Sequence, residues 1–128
     1  MATVSFDTGV LIGLDRGDRQ AWAWMKRVAE RGEAPIVCAA AVAESWRNGR
    51  TQARLASALH ACEVHNVTEA LARTAGEALA NVPDKDPVDA MVAATAAGTG
   101  SLLVTTDPLH MQELAGNHFR SLRIATLR

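Results

Sequence analysis

Four acidic residues of this sequence, Asp7, Glu44, Asp89 and Asp107, stand just behind a predicted strand or near the start of a predicted helix. Carboxylates that gather within a few ångströms disfavour each other's ionisation, so such a cluster needs a neutralising cation. Ligands that are all oxygen suit Mg²⁺ or Mn²⁺ better than zinc. An ion of this kind can activate water and stabilise the leaving oxygen of a phosphodiester. The four residue types therefore predict metal-dependent hydrolysis, if the fold brings the side chains together.

The elements that must position these acids alternate between strands and helices. Short β-branched and apolar runs predict strands near residues 3–6, 35–38, 62–66, 102–105 and 122–127, with helices between them. This alternation predicts a single three-layer α/β/α domain over residues 1–128, with a central and mainly parallel sheet. Sites in such sheets lie at the carboxyl ends of the strands. Asp7 and Asp107 follow two of the predicted strands, so they meet that requirement.

Each acid also has a simpler structural interpretation. Asp86 and Asp107 both precede proline, and both can cap the helix that the proline begins. Asp89 can complement the helix dipole or pair with Asp86 in a capping box. Glu44 can face solvent on its helix, and Asp7 can be an N-cap or turn residue. The shared placement of the acids, rather than any one of them, favours a site.

Composition limits the classes of protein that remain. The chain has 128 residues, of which 48% are hydrophobic, and its formal net charge is −1. These values exclude a disordered chain, a collagen-like chain and a globally basic nucleic-acid binder. Cys38 and Cys62 lie in apolar segments and are interpreted as core residues. None of the four histidines has metal-ligand spacing, although His110 follows Asp107 by one helical turn.

The ends and the apolar runs of the sequence predict a cytoplasmic protein without a membrane segment. The N-terminus lacks the basic and apolar regions of a secretory signal. The longest uncharged stretch, residues 34–43, is far shorter than the roughly 20 residues that span a bilayer.

Four short segments, in this order and spacing, resemble the PIN-domain family, and in particular the VapC-type toxin ribonucleases of toxin–antitoxin systems. The resemblance covers essentially the whole chain. It implies that the four acids named above bind Mg²⁺ or Mn²⁺ and support RNA cleavage. It also implies that Thr105 or Thr106 assists by hydrogen bonding and that Asp86 is an outer-shell acid. The segments are Phe6-Asp7-Thr8-Gly9, Ala43-Glu44-Ser45-Trp46-Arg47, Asp86-Pro87-Val88-Asp89-Ala90 and Val104-Thr105-Thr106-Asp107-Pro108.

The same resemblance implies two protein partners, an antitoxin that occludes the site and, as is usual in the family, a second copy of the toxin in a homodimer. The sequence departs from the family in one place. Similar sequences often carry another acid shortly after the Asp107-Pro108 pair, where this chain has Leu109-His110.

Two further groups of residues are candidates for contacts with RNA or protein. No acidic residue occurs in 45–62, whereas Arg47, Arg50 and Arg54 do, and guanidinium groups bind phosphate in a bidentate manner. These arginines are predicted to hold the RNA backbone, the alternative being a solvated helix face. Trp22 and Trp24 are two positions apart, so they cannot share one helix face. Either they mark the antitoxin or dimer contact, or they are core aromatics.

Three other classes of protein compete with a ribonuclease. Asp7-Thr8-Gly9 matches the aspartic-protease motif, but those small dimeric proteases are all-β. A receiver domain needs an acidic pair after the first strand and a lysine after a late strand, and this sequence has neither. A PIN fold without catalysis, acting as a binding module, is the third alternative, and the presence of all four acids disfavours it.

Overall fold

The computed structural model describes residues 3–127, apart from the side chain of Asn117. No helix in this part is both long and apolar enough to cross a bilayer. All five predicted strands are present, and Asp86-Pro87 and Asp107-Pro108 begin helices as predicted. The elements are β1 (Val4–Phe6), α1 (Thr8–Arg16), α2 (Arg19–Glu30), β2 (Ile36–Cys38), α3 (Ala39–Ser45), α4 (Ala53–His60), β3 (Glu63–His65), α5 (Glu69–Asn81), α6 (Pro87–Thr99), β4 (Leu102–Thr105), α7 (Pro108–Asn117) and β5 (Arg123–Thr126).

The five strands form one sheet in the order β3-β2-β1-β4-β5, and every pairing in it is parallel. β1 lies at the centre, where Phe6 is in register with Val37 on one side and with Val104 on the other. The prediction of an α/β/α fold with a mainly parallel sheet is thus confirmed. Parallel strands are buried on both faces, which explains why β1 and β2 are buried throughout.

The order in which the chain adds strands to the sheet reverses between β1 and β4. The chain runs from β1 to β2 to β3 towards one edge, and then returns to β4 and β5 on the other side of β1. Because parallel crossovers are right-handed, the helices of the two halves must cover opposite faces. The contacts agree: α1 packs against α2 and α4, whereas α6 packs against α5 and α7. The crevice at this switch point is where ligands bind in open α/β sheets.

The core explains how short strands are held in place. Phe6 and Leu103 come from the sheet, Leu11 and Leu14 from α1, and all four are fully buried. α6 is buried on most sides because it lies between the sheet and its helical neighbours, and small alanine side chains allow this close packing. Both cysteines belong to or pack against this core, as predicted. Burial raises the pKa of the Cys62 thiol to about 12, so this thiol is unreactive at neutral pH.

One helix ends earlier than the sequence predicts. The sequence of residues 40–48, with Gly49 behind it, predicts a helix that ends at Asn48, but α3 ends at Ser45. The reason is the buried side chain of Gln52. Its Oε1 accepts the backbone N–H groups of Arg47 and Asn48, and its Nε2 donates to the carbonyl of Ser45. These three bonds satisfy the backbone outside a helix, so the chain leaves α3 three residues early.

Candidate active site at the carboxyl edge of the sheet

Asp7 lies directly behind β1 and forms the floor of the candidate site. Its side chain is only 5% exposed. Oδ1 accepts the backbone N–H of Thr8 at 2.7 Å, which caps α1, and Oδ2 accepts the hydroxyl of Thr105 at 2.7 Å. Burial raises the pKa of Asp7, while the hydrogen bond from Thr105 opposes the rise. Asp7 is therefore both the N-cap considered above and a buried carboxylate at the switch point.

Glu44 approaches the site from α3 through a residue that the sequence interpretation did not single out. The hydroxyl of Thr8 donates a 2.7 Å hydrogen bond to Oε1 of Glu44. Thr8 thus connects two candidate acids, since its N–H binds Asp7 and its hydroxyl binds Glu44. One sequence signal could have identified Thr8. It is a hydroxyl residue that directly follows a candidate acid and takes the first position of a helix.

Asp89 extends into the same region from the first turn of α6. Burial raises the pKa of Asp89 to about 6, and the negative charges of Asp7, Asp86 and Glu44 add to the rise. Asp89 therefore lies within electrostatic range of Asp7, which caps α1, and of Glu44 on α3. The capping-box interpretation of Asp89 does not describe its contacts, because its carboxylate pairs with His110 instead.

His110 is the basic member of the cluster. Its Nε2 lies 2.9 Å from Oδ2 of Asp89, and its Nδ1 lies 3.9 Å from Oδ2 of Asp107. The Nε2 atom is buried and has no hydrogen-bond partner among the described residues, so its contact with Asp89 is electrostatic. The position of His110 one turn after Asp107 was the signal that set it apart from the other histidines.

Asp107 and Asp86 both cap helices, as their simpler interpretation predicted. Asp107 accepts the N–H of His110 at 3.3 Å, and Asp86 accepts the N–H of Val88 at 2.7 Å. The side chain of Asp107 is 66% exposed, so it can turn without disturbing the core. Asp107 nevertheless lies beside the cluster, since its charge raises the pKa of Asp7.

The two threonines at the end of β4 have different environments. Thr105 is fully buried and binds Asp7, whereas Thr106 is exposed. Thr106 packs so closely on α1 that a Cβ at Gly9 would overlap its hydroxyl and its other side-chain atoms. Gly9 therefore permits the close approach of α1 to the end of β4.

The donor set of this site fits a hard divalent cation. Carboxylate oxygens dominate it, and burial raises the pKa values of Asp7 and Asp89, which a bound cation would lower again. Within residues 3–127, no three carboxylate, imidazole or thiol side chains already converge closely enough to hold an ion. Loading would require side-chain rotation, for which the exposed carboxylate of Asp107 has room.

The three arginines proposed to bind RNA differ in their contacts. The guanidinium of Arg47 donates to the carbonyls of Ala43 and Trp46, at the end of α3 that follows Glu44. Arg54 lies at the opposite end of α1 from Asp7, where it donates to the carbonyl of Asp15 at 3.4 Å. Arg50 is exposed between them.

The two tryptophans of α2 are both half-buried and pack against the core. Trp22 faces α1, and its indole N–H donates to the carbonyl of Leu14 at 3.0 Å. Trp24 carries the guanidinium of Arg27 over its ring, with the Arg27 Cζ 4.6 Å from the ring centroid. The two indoles therefore contact different parts of the molecule, as their spacing predicted.

Solved structures with the same fold come from bacterial toxin–antitoxin complexes. A chain of the VapBC2 complex of Rickettsia felis, bound to a DNA fragment from the promoter, superposes with a TM-score of 0.77 at 13% identity, covering 98% of this chain and 99% of that one. A chain of DNA-bound VapBC from Salmonella typhimurium gives a TM-score of 0.74 at 17% identity, covering 98% of both chains. A toxin–antitoxin complex from Klebsiella pneumoniae gives 0.65 at 22% identity, covering 81% and 86%.

No curated protein sequence matches this chain. The family model described as "PIN domain" matches residues 4–116, which include all four candidate acids. Receiver domains have a different strand order, and the small aspartic proteases are all-β, so the observed sheet excludes both. The chain belongs to the PIN-domain family.

Proposed function

We propose that this protein is a Mg²⁺- or Mn²⁺-dependent endoribonuclease and the toxin of a type II toxin–antitoxin pair. The observation that supports this most strongly is the environment of Asp89 at the switch point of the sheet, where burial and the negative charges of Asp7 and Glu44 raise its pKa. A half-buried carboxylate beside other negative charges is costly for a fold. A divalent cation that takes part in the reaction would offset this unfavourable charge and would explain why the acids are placed together.

The residues that would hold the ion are Asp7, Glu44, Asp89 and Asp107. A divalent cation there would supply Lewis-acid activation of water and would neutralise charge on the scissile phosphate. Thr105 fixes the Oδ2 side of Asp7, and Thr8 fixes Glu44. Asp86, exposed at the start of α6, would act from outside this shell on Asp89. Thr106, also exposed, is the threonine that could reach a bound strand.

His110 has a defined place in this proposal. It lies between Asp89 and Asp107, where a positive imidazolium would offset part of the negative charge. It stands in the region where similar sequences often carry another acid. We propose that His110 orients Asp89 rather than completing the set of carboxylates.

The RNA would approach from the side of α3. Arg47 and Arg50 come three and six residues after Glu44, and the guanidinium of Arg47 binds carbonyls at the end of α3. Arg54 contributes at a greater distance, because its side chain covers the C-terminal end of α1. Phosphate contacts of this kind position a strand without reading its sequence.

Two protein partners belong to the proposal. The structural neighbours from Rickettsia felis and Salmonella typhimurium are VapBC complexes, which supports a cognate antitoxin for this chain. Trp22 is the better of the two tryptophans for the antitoxin contact, because Trp24 lines a cavity that three arginines also line.

A homodimer is proposed by analogy with the family, and light scattering of the purified protein would measure its oligomeric state. A toxin acting on cellular RNA would be cytoplasmic.

The direct experiment is cleavage of one sequence offered as RNA and as single-stranded DNA, with Mg²⁺, with Mn²⁺ and with a chelator. The proposal predicts internal cuts in the RNA that need the metal and that are absent or much slower in the DNA. Cleavage that persists in the chelator would contradict metal dependence. A protein that binds RNA with metal present but leaves it intact would support the alternative, a PIN fold that acts as a binding module.

A further inference from the structure

A cavity of about 280 Å³ lies at the edge of the sheet opposite to the carboxylates. Three of its lining residues are the first residues of parallel strands: Val4 of β1, Leu102 of β4 and Arg123 of β5. Asp7 and Asp107 follow the other ends of β1 and β4, so the cavity and the candidate active site are separated by the length of the strands. The volume is near the lower limit of ligand pockets, roughly 300 Å³. It would therefore take a small molecule or one group of a larger one.

The floor of the cavity is apolar. Val4 and Val28 are almost completely buried, and Leu102 is half-buried. Trp24, whose ring carries the guanidinium of Arg27, also lines the cavity. A floor of this kind beside an aromatic ring suits a flat ring system, which gains both apolar contact and stacking.

The rim of the cavity is positive. It consists of Arg27 and Arg31 from α2 and Arg123 from β5, and no acidic residue lines the cavity. None of the three guanidinium groups forms an ion pair with a carboxylate of residues 3–127. Arg27 stacks on Trp24, and Arg123 donates one long hydrogen bond, 3.4 Å, to the carbonyl of Gly100. Most of the donors on this rim are thus available to a ligand.

We propose that this cavity binds the phosphate and base of a single nucleotide. Guanidinium groups hold phosphate through bidentate, charge-assisted hydrogen bonds, and three of them more than neutralise the roughly two negative charges of a phosphomonoester. The base would lie on the apolar floor beside Trp24. A carboxylate-bearing ligand would satisfy the rim but would leave the floor and the indole without a matching group. The nucleotide is either a free nucleoside monophosphate or the phosphorylated end of an RNA strand, which offer the same chemistry.

Calorimetric titration in a chelator tests this without involving the carboxylate site. The titrants are a nucleoside 5′-monophosphate, the same nucleoside without phosphate, and inorganic phosphate. The proposal predicts that the monophosphate binds at least about tenfold more tightly than either part, because charged hydrogen bonds and ring contacts both contribute. No binding of the monophosphate, or equal binding of inorganic phosphate, would overturn it.

A second pair of titrants separates the two sources of the nucleotide. A short RNA with a 5′-phosphate and one with a 5′-hydroxyl are compared with the monophosphate. Tighter binding of the phosphorylated strand than of both other titrants assigns the cavity to an RNA end. Binding of the monophosphate alone assigns it to a free nucleotide.

Exposed arginines make good variants, because their replacement leaves the core intact. Arg31→Ala and Arg123→Ala should each weaken monophosphate binding by about tenfold, and Arg31→Lys should restore only part of it. Arg73 is an exposed arginine of α5 that pairs with Glu69. Arg73→Ala is therefore the matched control and should bind the monophosphate as tightly as the parent protein does. Equal affinity in all four variants would overturn the proposal. Cleavage of an RNA with a 5′-hydroxyl should be unchanged in Arg31→Ala, so this result and the proposed ribonuclease activity stand or fall separately.

Discussion

The hydroxyl of Thr105 donates a 2.7 Å hydrogen bond to Oδ2 of Asp7, which joins residues 98 positions apart. It is possible because β1 and β4 are neighbours at the switch point of the sheet. The same Thr105 oxygen accepts the backbone N–H of Asp107 at 3.0 Å. One buried hydroxyl therefore ties the carboxylate behind β1 to the backbone that carries the acid behind β4.

Replacement of Thr105 by valine should damage the site while keeping the shape of the side chain. The variant leaves Oδ2 of Asp7 without its donor and raises the pKa of Asp7 further, because that hydrogen bond now lowers it. We expect a loss of about 1–2 kcal/mol in the free energy of unfolding and cleavage of RNA slower by about tenfold or more. Thr126→Val, at an exposed threonine of β5, is the control. Equal losses in both variants would contradict the role given to the Thr105 hydroxyl.

Gly9→Ala should destabilise the protein although it places alanine in a helix. The added Cβ would overlap the side chain of Thr106, so α1 and the end of β4 must move apart. Overpacking of this kind costs typically about 1–3 kcal/mol. In Gly76→Ala of α5, the Cβ meets nothing within 4 Å, and we expect a gain of about 0.5–1 kcal/mol. Urea denaturation measures both, and the same sign in the two variants would refute the close approach at Gly9.

The contribution of Asp89 to the free energy of unfolding should fall between pH 4 and pH 6. Its pKa is about 6 in the folded protein and about 3.9 in an unfolded chain. Across this interval the folded state binds more protons, so stability from this group decreases as the pH rises. In metal-free buffer, Asp89→Asn should match the parent near pH 4 and exceed it at pH 7. Asp84→Asn, at a side chain that is 78% exposed, should show no such widening. A difference in stability that stays constant with pH would show that burial and the neighbouring charges do not raise the pKa of Asp89.

Arg50 should contribute to RNA binding through charge alone. Its side chain is exposed close behind Glu44, and a contact with one phosphate releases about one counterion. Arg50→Ala should therefore weaken binding for all sequences and reduce the slope of log affinity against log salt by about 1. Arg73→Ala serves as the control on α5. An unchanged slope in Arg50→Ala would remove Arg50 from the proposed path of the RNA.

The helix starts and the positions of the acids could be predicted because their signals are local. Asp86-Pro87 and Asp107-Pro108 combine a cap with a proline that suits the first turn, and both begin helices. The strand order could not be read from local patterns, since it depends on contacts between distant segments. For the same reason, the sequence could not decide between Thr105 and Thr106, or show that Thr8 reaches Glu44.

The early end of α3 shows how a distant side chain overrides a local pattern. Residues 40–48 are compatible with a helix. However, the side-chain amide of Gln52 binds the carbonyl of Ser45 and the N–H groups of Arg47 and Asn48, so the helix ends at Ser45. The arginine stretch illustrates the same limit. Its charges are adjacent in the sequence, yet Arg47 and Arg54 bind carbonyls at the ends of different helices.

The rate of metal-dependent RNA cleavage by Asp7→Asn, beside the parent protein and Asp84→Asn, tests the central claim most directly. The substitution keeps the size of Asp7 and removes the buried charge at the centre of the proposed site. The loss of several kcal/mol of transition-state stabilisation predicts cleavage slower by on the order of 100-fold or more, with Asp84→Asn unchanged. Circular dichroism should show both variants folded. Cleavage by folded Asp7→Asn at the parental rate would contradict the account.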